Sequence, residues 1–546
     1  MQRATHRQPG VRRCVAQEFA TNIAGAATVL SSLNGCTVQE RFLLLVFCIN
    51  SRGNHLLRAV PPSVGIATAA RVDDTIRSTA AFITFTEPSL LDADHANHAL
   101  KQLRFPPSKG GAGLASLVDN YPAAYLGSLA NTLDHIRGVG PIADVVAEGK
   151  AGNWLQHDGP LRDAYRIWNV GIGPDDTPLI NLPKIRAIDA LKGADGVLDL
   201  NSLSSAPTNA QAAFSHALVL KRFNDIVSDD AVHPRARARL NVCGGFGATD
   251  WTRALPTKDT TFTDPQYLVA FALSFGLPSK TIGRNTTCVP TCALASSRTS
   301  DPVADFNSWR FGDHFFHCSA GSRLDGETNC LRRHNNISAI LVSLLSEEFD
   351  YTCCSTQRGQ ALSLSDKKRV DFSAESLNRH VLPRAVDVTV LHPLTSAHLA
   401  GALSLGADFL ALAGDAHKTK KHGADARTAG FDFIPASFAS LGAWGPGIRK
   451  WFEELWQEKV KAAKLANEPL WPVIQKKLQW RTRISCVLQR SNAQMLLSRA
   501  KHQQSSCPDH DSRARASCLP DSNPYGRDGL AHSRSLSTAR HARRAA

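Results

Sequence analysis

The sequence predicts a mixed fold: a mainly helical N-terminal half, a loop-rich Cys/His element, a small α/β domain and a disordered basic tail. Three observations carry this expectation. Small apolar residues recur at helical spacing from about 21 to 140, as in Ala123-Ala124-Tyr125-Leu126-Gly127-Ser128-Leu129-Ala130. A β-branched run, Val386 to Leu391, precedes a long Ala/Leu stretch from about 396 to 417, the alternation of an α/β domain. Residues 501–546 are rich in Ser, Arg and His and poor in large apolar side chains, so they cannot bury enough surface to offset ordering.

Taken in order, residues 1–20, with Arg3, Arg7, Arg12 and Arg13, read as a disordered basic leader. Residues 21–245 form the helical part, punctuated at Pro61-Pro62 and Pro106-Pro107 and by Gly138 and Gly140. Further helices are expected near 184–192 and 209–225. Arg71-Val72-Asp73-Asp74 reads as a helix start. Gly244-Gly245-Phe246-Gly247 marks a break and is no phosphate loop, because no Lys-Ser/Thr pair follows it. Residues 246–335 form a linker that holds the Cys/His element. Residues 336–500 form the α/β domain: a helix at 337–348, strands at Val386–Leu391 and Phe431–Pro435, the helix near 396–417, and amphipathic helices near 447–465 and 480–500. Trp451 and Trp456 with Lys459 and Lys461 read as helix packing with a charged outer face.

The bulk numbers limit the function classes. A chain of 546 residues suggests about three to four domains. At 43% hydrophobic residues it can build cores. The net charge of +14 fits a polyanion partner, since Lys and Arg displace counterions from phosphates; a basic tail on an ordinary protein is the other reading. Thirteen scattered Cys do not form a secreted disulfide framework, so a reducing compartment is expected. The most apolar stretch, Phe42 to Ile49, is too short to span a bilayer, and no signal-peptide core follows the N-terminal arginines. The expectation is a soluble intracellular protein without a membrane partner.

Two constellations carry chemistry. Asp387 lies in the middle of the apolar run Ala385 to Leu391, where an unpaired carboxylate is costly to bury. Asp371 lies sixteen residues earlier, and Lys418, Lys420 and Lys421 lie about thirty residues later. Two acids on adjacent strands and a lysine can hold Mg²⁺, polarise a phosphate and activate water. The competing reading is a salt-bridged edge-strand Asp and a solvated helix C-terminus. In the second constellation, Cys288-x3-Cys292 is followed by His314-x3-Cys318, two close pairs of the kind that bind Zn²⁺. An alternative set is His314, Cys318, Cys330 and His334, and unligated thiols and exposed His remain a further reading.

Several blocks together resemble the C-terminal part of a non-LTR retrotransposon reverse transcriptase/restriction-like endonuclease protein. They are Arg41 to Asn50 with Asn54 to Arg58, Leu103 to Pro107 with Gly110-Gly111-Ala112-Gly113-Leu114, Trp251 to Pro256, and Ser274 to Pro278. Gly312-Asp313-His314 with Cys318 resembles that family's Cys-Cys-His-Cys element, and Arg333-His334-Asn335 the arginine-histidine helix start after it. Ala385 to Pro393, Lys418 to His422 and Gly430 to Pro446 resemble the endonuclease core, and Leu488 to Ala493 the C-terminal helix.

The resemblance implies a restriction-endonuclease-like α/β domain at 336–500 and a helical, thumb-like segment at 21–245. It implies DNA, and element RNA, as partners in the nucleus, and no small-molecule substrate. Asp371 and Asp387 would be the catalytic acids and hold Mg²⁺. Lys418 or Lys421 would be the catalytic lysine, because Thr389 occupies the lysine place of the strand motif. Cys288, Cys292, His314 and Cys318 would hold Zn²⁺, and Arg333, His334 and Lys420 would contact nucleic acid. The polymerase palm does not appear in the sequence, so polymerase activity is not expected. His422 replaces an aromatic, Lys368-Arg369-Val370-Asp371 stands where the family commonly has arginine-proline-x-aspartate, and Ala439 stands where it often has glutamate.

Overall fold

A computed structural model describes residues 8–84, 93–136, 210–277, 316, 329–355, 363–365, 368–376 and 382–506. The expected zinc ligands Cys288, Cys292, His314 and Cys318 lie outside the described residues, as do the helix expected near 184–192 and the tail from 507. Met1–Ala500 form one compact unit. Of the second unit, Lys501–Ala546, only residues through Ser506 are described.

The described residues of the N-terminal half are mainly helical, as expected. Its elements are α1 (Gln8–Ser32), α2 (Val38–Leu44), α3 (Gly53–Ala59), α4 (Pro62–Ile83), α5 (Ala93–Arg104), α6 (Leu117–Ile136), α7 (Ala210–Ser228), α8 (Pro234–Cys243) and α9 (Asp264–Phe275). Residues 8–20 do not form the disordered leader the arginines suggest. Ala16, Ala20, Ile23, Ala27 and Leu30 recur every three or four residues and are buried, so the segment is an amphipathic helix packed on α4.

Helix starts here are secured by short-range chemistry. Thr37 and Glu40 form a capping box at α2, with the Thr37 N–H donating to Glu40 Oε2 at 2.8 Å. Thr263 and Gln266 do the same for α9. Asp73 is not at a helix start. It is buried inside α4 and accepts from Ser116 Oγ at 2.6 Å and from the N–H groups of Leu117 at 2.7 Å and Val118 at 3.2 Å. It therefore caps α6 from a distance, where a carboxylate is favoured by the positive helix end.

The C-terminal part contains α10 (Asn329–Glu348), β1 (Tyr351–Ser355), β2 (Ser363–Ser365), β3 (Lys368–Arg369), β4 (Phe372–Ser376), β5 (Arg384–Leu391), α11 (Ser396–Leu405), α12 (His417–Thr428), β6 (Asp432–Ala439), α13 (Pro446–Leu465) and α14 (Leu470–Ser506). The main sheet runs β1-β4-β5-β6; the first two pairings are antiparallel and β5 with β6 is parallel. The parallel pair is joined through α11 and α12, the crossover that parallel strands require. The single helix expected near 396–417 is broken. Gly406 takes φ +56°, a conformation open to glycine, and a π-helical turn at Ala411–Ala416 leads into α12. Lys418, Lys420 and Lys421 thus open α12 rather than closing a long helix.

Two hydrophobic cores share one helix. The first gathers α1 to α6 with Trp251, Phe262, Tyr267 and Phe271, and also takes Cys486, Ala493 and Leu496 from α14. The second packs α10, the sheet and α13 with Trp480, Ile484 and Leu488 of the same helix. Trp451 and Trp456 are buried in this second core, while Lys461 is exposed. Among the described residues, no single helix is long and apolar enough to cross a membrane.

Candidate active site

The site lies on the sheet face opposite the second core. Alternation along β5 sends Val386 and Val388 into that core and turns Ala385 and Asp387 toward α12. Asp387 is 5% exposed. Its register partner in β6 is Pro435, which has no N–H to donate beside it.

Asp371, just before β4, brackets Asp387. Its backbone N–H donates to Val386 O at 3.1 Å, and its carboxylate Oδ2 accepts from the Val388 N–H at 2.6 Å. The two carboxyl groups are within hydrogen-bonding reach of each other. The sequence suggests two acids on adjacent strands; the structure brings Asp387 on β5 together with Asp371 in the bend before β4.

A lysine and two histidines close on the pair from two helices. Lys418 Nζ is 2.9 Å from Asp387 Oδ2, and His422 Nε2 is 3.3 Å from the same oxygen. These residues are four apart on α12 and share its inner face. Lys420 and Lys421 are exposed. From α10, His334 Nε2 lies 3.0 Å from Asp371 Oδ2 and 3.1 Å from Val388 O.

The electrostatics separate the two acids. Burial pushes the Asp387 carboxyl up to about 6, Lys418 pulls against that, and the neighbouring Asp371 adds to it. Burial also acts on Asp371, but the hydrogen bond and charge of His334 and the Val388 N–H outweigh it and hold Asp371 below its ordinary value. His334 is opposed by burial yet raised above its ordinary value by Asp371. As pH falls, Asp387 is therefore the first of the pair to take up a proton, and Asp371 stays ionised to lower pH.

Arg333 does not face solvent. It is 3% exposed, donates from Nη1 to Asn492 Oδ1 at 3.0 Å and lies over the Phe316 ring at 5.8 Å. Its charge joins α10 to α14, which removes it from the expected set of nucleic-acid contacts. Asn492 in turn donates to Ser440 O at 2.6 Å, so the arginine belongs to a buried network. His334 is half-buried against Asp371, and of the three expected contacts only Lys420 is exposed. Of the alternative zinc set, His334 Nε2 lies against Asp371, Cys330 Sγ is 3.8 Å from Phe316 O, and His314 and Cys318 lie outside the described residues.

Among the described residues, no group of three or more His, Cys, Asp or Glu side chains is placed to hold a metal ion. In the cluster described above, both imidazole Nε2 atoms are directed at carboxylate oxygens. The sequence carries no spacing signal for the link from His334 to Asp371, thirty-seven residues away. It also gave none for Asp415, a buried carboxylate that accepts from Ser437 Oγ and from the Gly447 N–H at 2.6 Å, fixing the start of α13. A separate concavity of about 650 Å³ in the helical half is lined by Lys101, Arg104, Asp119, Arg222 and Arg253 among others. Within it Asp119 takes both Arg222 at 3.3 Å and Arg104 at 3.7 Å. No protein-family model matches the chain, and no curated protein matches it.

Proposed function

We propose that this chain is a retrotransposon-derived nucleic-acid-binding protein whose C-terminal α/β part is a restriction-like, metal-dependent DNA-nicking domain. The observation that carries the reading is the pairing of Asp371, just before β4, with Asp387 on β5, with Lys418 against the second acid. The mixed sheet with its α11–α12 crossover supports the resemblance to a restriction-like core. The net charge of +14 supports a polyanionic substrate.

The donor set fits Mg²⁺, which is commonly held by one or two carboxylates together with substrate phosphates. The two adjacent carboxyls are hard oxygen donors, and their burial and mutual repulsion are what a divalent cation relieves. Asp371 and Asp387 would hold the ion, which supplies charge neutralisation at the phosphate and a more acidic water. Lys418, released from Asp387, would place its ammonium against the charge that develops on the phosphoryl oxygens. Lys420 and Lys421, exposed on α12, would contact the DNA backbone. Zn²⁺ would fall to Cys288, Cys292, His314 and Cys318.

A second reading, binding without cleavage, is favoured by one observation. Lys418 and His422 both close on Asp387 Oδ2, so this oxygen is already engaged by the protein. A supercoiled-plasmid nicking assay on the full chain with Mg²⁺ or Mn²⁺ separates the two. The nuclease reading expects nicking that Asp387→Ala and Lys418→Ala abolish and Lys421→Ala reduces only mildly, with salt-sensitive DNA affinity retained in all three. Affinity and nicking that fall together in Asp387→Ala would remove the support for Asp387 as a metal ligand. Binding without nicking in the unaltered chain selects the second reading.

A further inference from the structure

We infer that His334 is the positioning residue of the acidic pair, holding the Asp371 carboxylate in the orientation that lets it share a divalent cation with Asp387. This inference rests on the proposed metal site and adds to it a residue outside the two acids.

Asp371 needs such a brace. It precedes a strand of only five residues, Phe372–Ser376, and its carboxyl group turns about a torsion with broad, shallow preferences. Two donors converge on one of its oxygens. The Val388 N–H reaches Oδ2 at 2.6 Å and His334 Nε2 reaches it at 3.0 Å. The same Nε2 lies 3.1 Å from Val388 O, so the imidazole bridges the carboxylate to the strand that carries Asp387. His334 Nδ1 lies 3.3 Å from Asn335 Oδ1, which limits rotation of the ring.

The brace stands on a rigid support. α10 is pinned near its start by Arg333 on Asn492, along its length by Ile337, Leu341 and Leu344 in the core, and at its end by Glu348 on Trp480. A site residue held by a partner on a packed helix keeps its geometry better than one held by its own loop. Partners of this kind, hydrogen-bonded to a metal-binding carboxylate, typically change metal affinity about 10–100-fold when removed. His422 on Asp387 does not play the same part, because Lys418 shares its oxygen and lies closer.

The test is a Mn²⁺ titration of the full chain followed by electron paramagnetic resonance, which needs no turnover. It compares the unaltered protein with Asp387→Ala, His334→Ala and His334→Gln. The glutamine amide nitrogen occupies nearly the place of Nε2 and can donate to Asp371. The expected result is binding that Asp387→Ala abolishes, that His334→Ala weakens about 10–100-fold, and that His334→Gln largely restores. If His334→Ala binds Mn²⁺ as the unaltered chain does, the brace is wrong while the metal site stands. If the alanine and glutamine variants lose affinity equally, the hydrogen bond is not the cause and the inference falls. If the unaltered chain binds no Mn²⁺, or Asp387→Ala binds it equally, the metal site falls and takes this inference with it.

Discussion

Replacing Glu348 with alanine removes the clamp between the end of α10 and the last two helices. Its Oε1 accepts from Trp480 Nε1 at 3.1 Å, and its Oε2 meets Lys459 at 3.0 Å and Lys476 at 3.2 Å. The three contacts differ in worth. Trp480 is 2% exposed, so its N–H would lose a buried acceptor, a cost of about 1–3 kcal/mol. The Lys459 pair is partly buried, at 32% side-chain exposure, and is worth about 1 kcal/mol. The Lys476 side chain is 56% exposed, so screening reduces that pair to about 0.3 kcal/mol. Together Glu348→Ala should destabilise the chain by about 2–4 kcal/mol at neutral pH.

The pH dependence has a definite sign. Burial opposes ionisation of Glu348, but Trp480, Lys459 and Lys476 outweigh it and hold the carboxyl below its ordinary value. A depressed folded value means that the charged form contributes stability above the unfolded value, and that this is lost as pH falls through the folded value. The gap between the unaltered chain and Glu348→Ala should therefore be constant from pH 8 to about 5 and narrow below about 4.5. Glu348→Gln keeps one acceptor for Trp480 and should lie between the two without that narrowing. The assay is urea unfolding followed by tryptophan fluorescence at several pH values. A gap under about 1 kcal/mol at pH 7, or one that stays constant down to pH 3.5, would refute the reasoning.

Two further predictions use the same unfolding assay. Asp73→Ala leaves Ser116 Oγ and two backbone N–H groups at the start of α6 without their acceptor and should cost about 2–4 kcal/mol; a loss below about 0.5 kcal/mol would show that the distant cap is not needed. Arg333→Ala leaves Asn492 without its donor and should destabilise by about 3 kcal/mol with unchanged DNA affinity per folded molecule; weaker DNA binding with unchanged stability would return Arg333 to the surface.

Much of the local order is legible in the residues because short-range rules produce it. The β-branched run gave β5, the alternation along it marked Asp387 as a carboxylate in apolar company, and capping pairs such as Thr37 with Glu40 lie three residues apart. The basic leader was misread because arginine counts hide a small-residue stripe that only period analysis reveals. The long helix near 396–417 was misread because composition does not show where a single glycine, Gly406, takes a positive φ.

The sequence by itself determined the helical character of much of the N-terminal half and the strand that carries Asp387, and it offered Asp371, Asp387 and the Lys418 cluster as candidates, since propensity, period and the cost of burying charge act through near neighbours. Tertiary structure decided which partner each charge receives. It chose Lys418 with His422 for Asp387, turned Arg333 inward onto Asn492, and carried His334 from an expected nucleic-acid contact to the Asp371 carboxylate. These pairings join residues up to 159 positions apart. No spacing rule spans such a distance, because the packing of α10, α12 and α14 around the sheet sets which side chains meet.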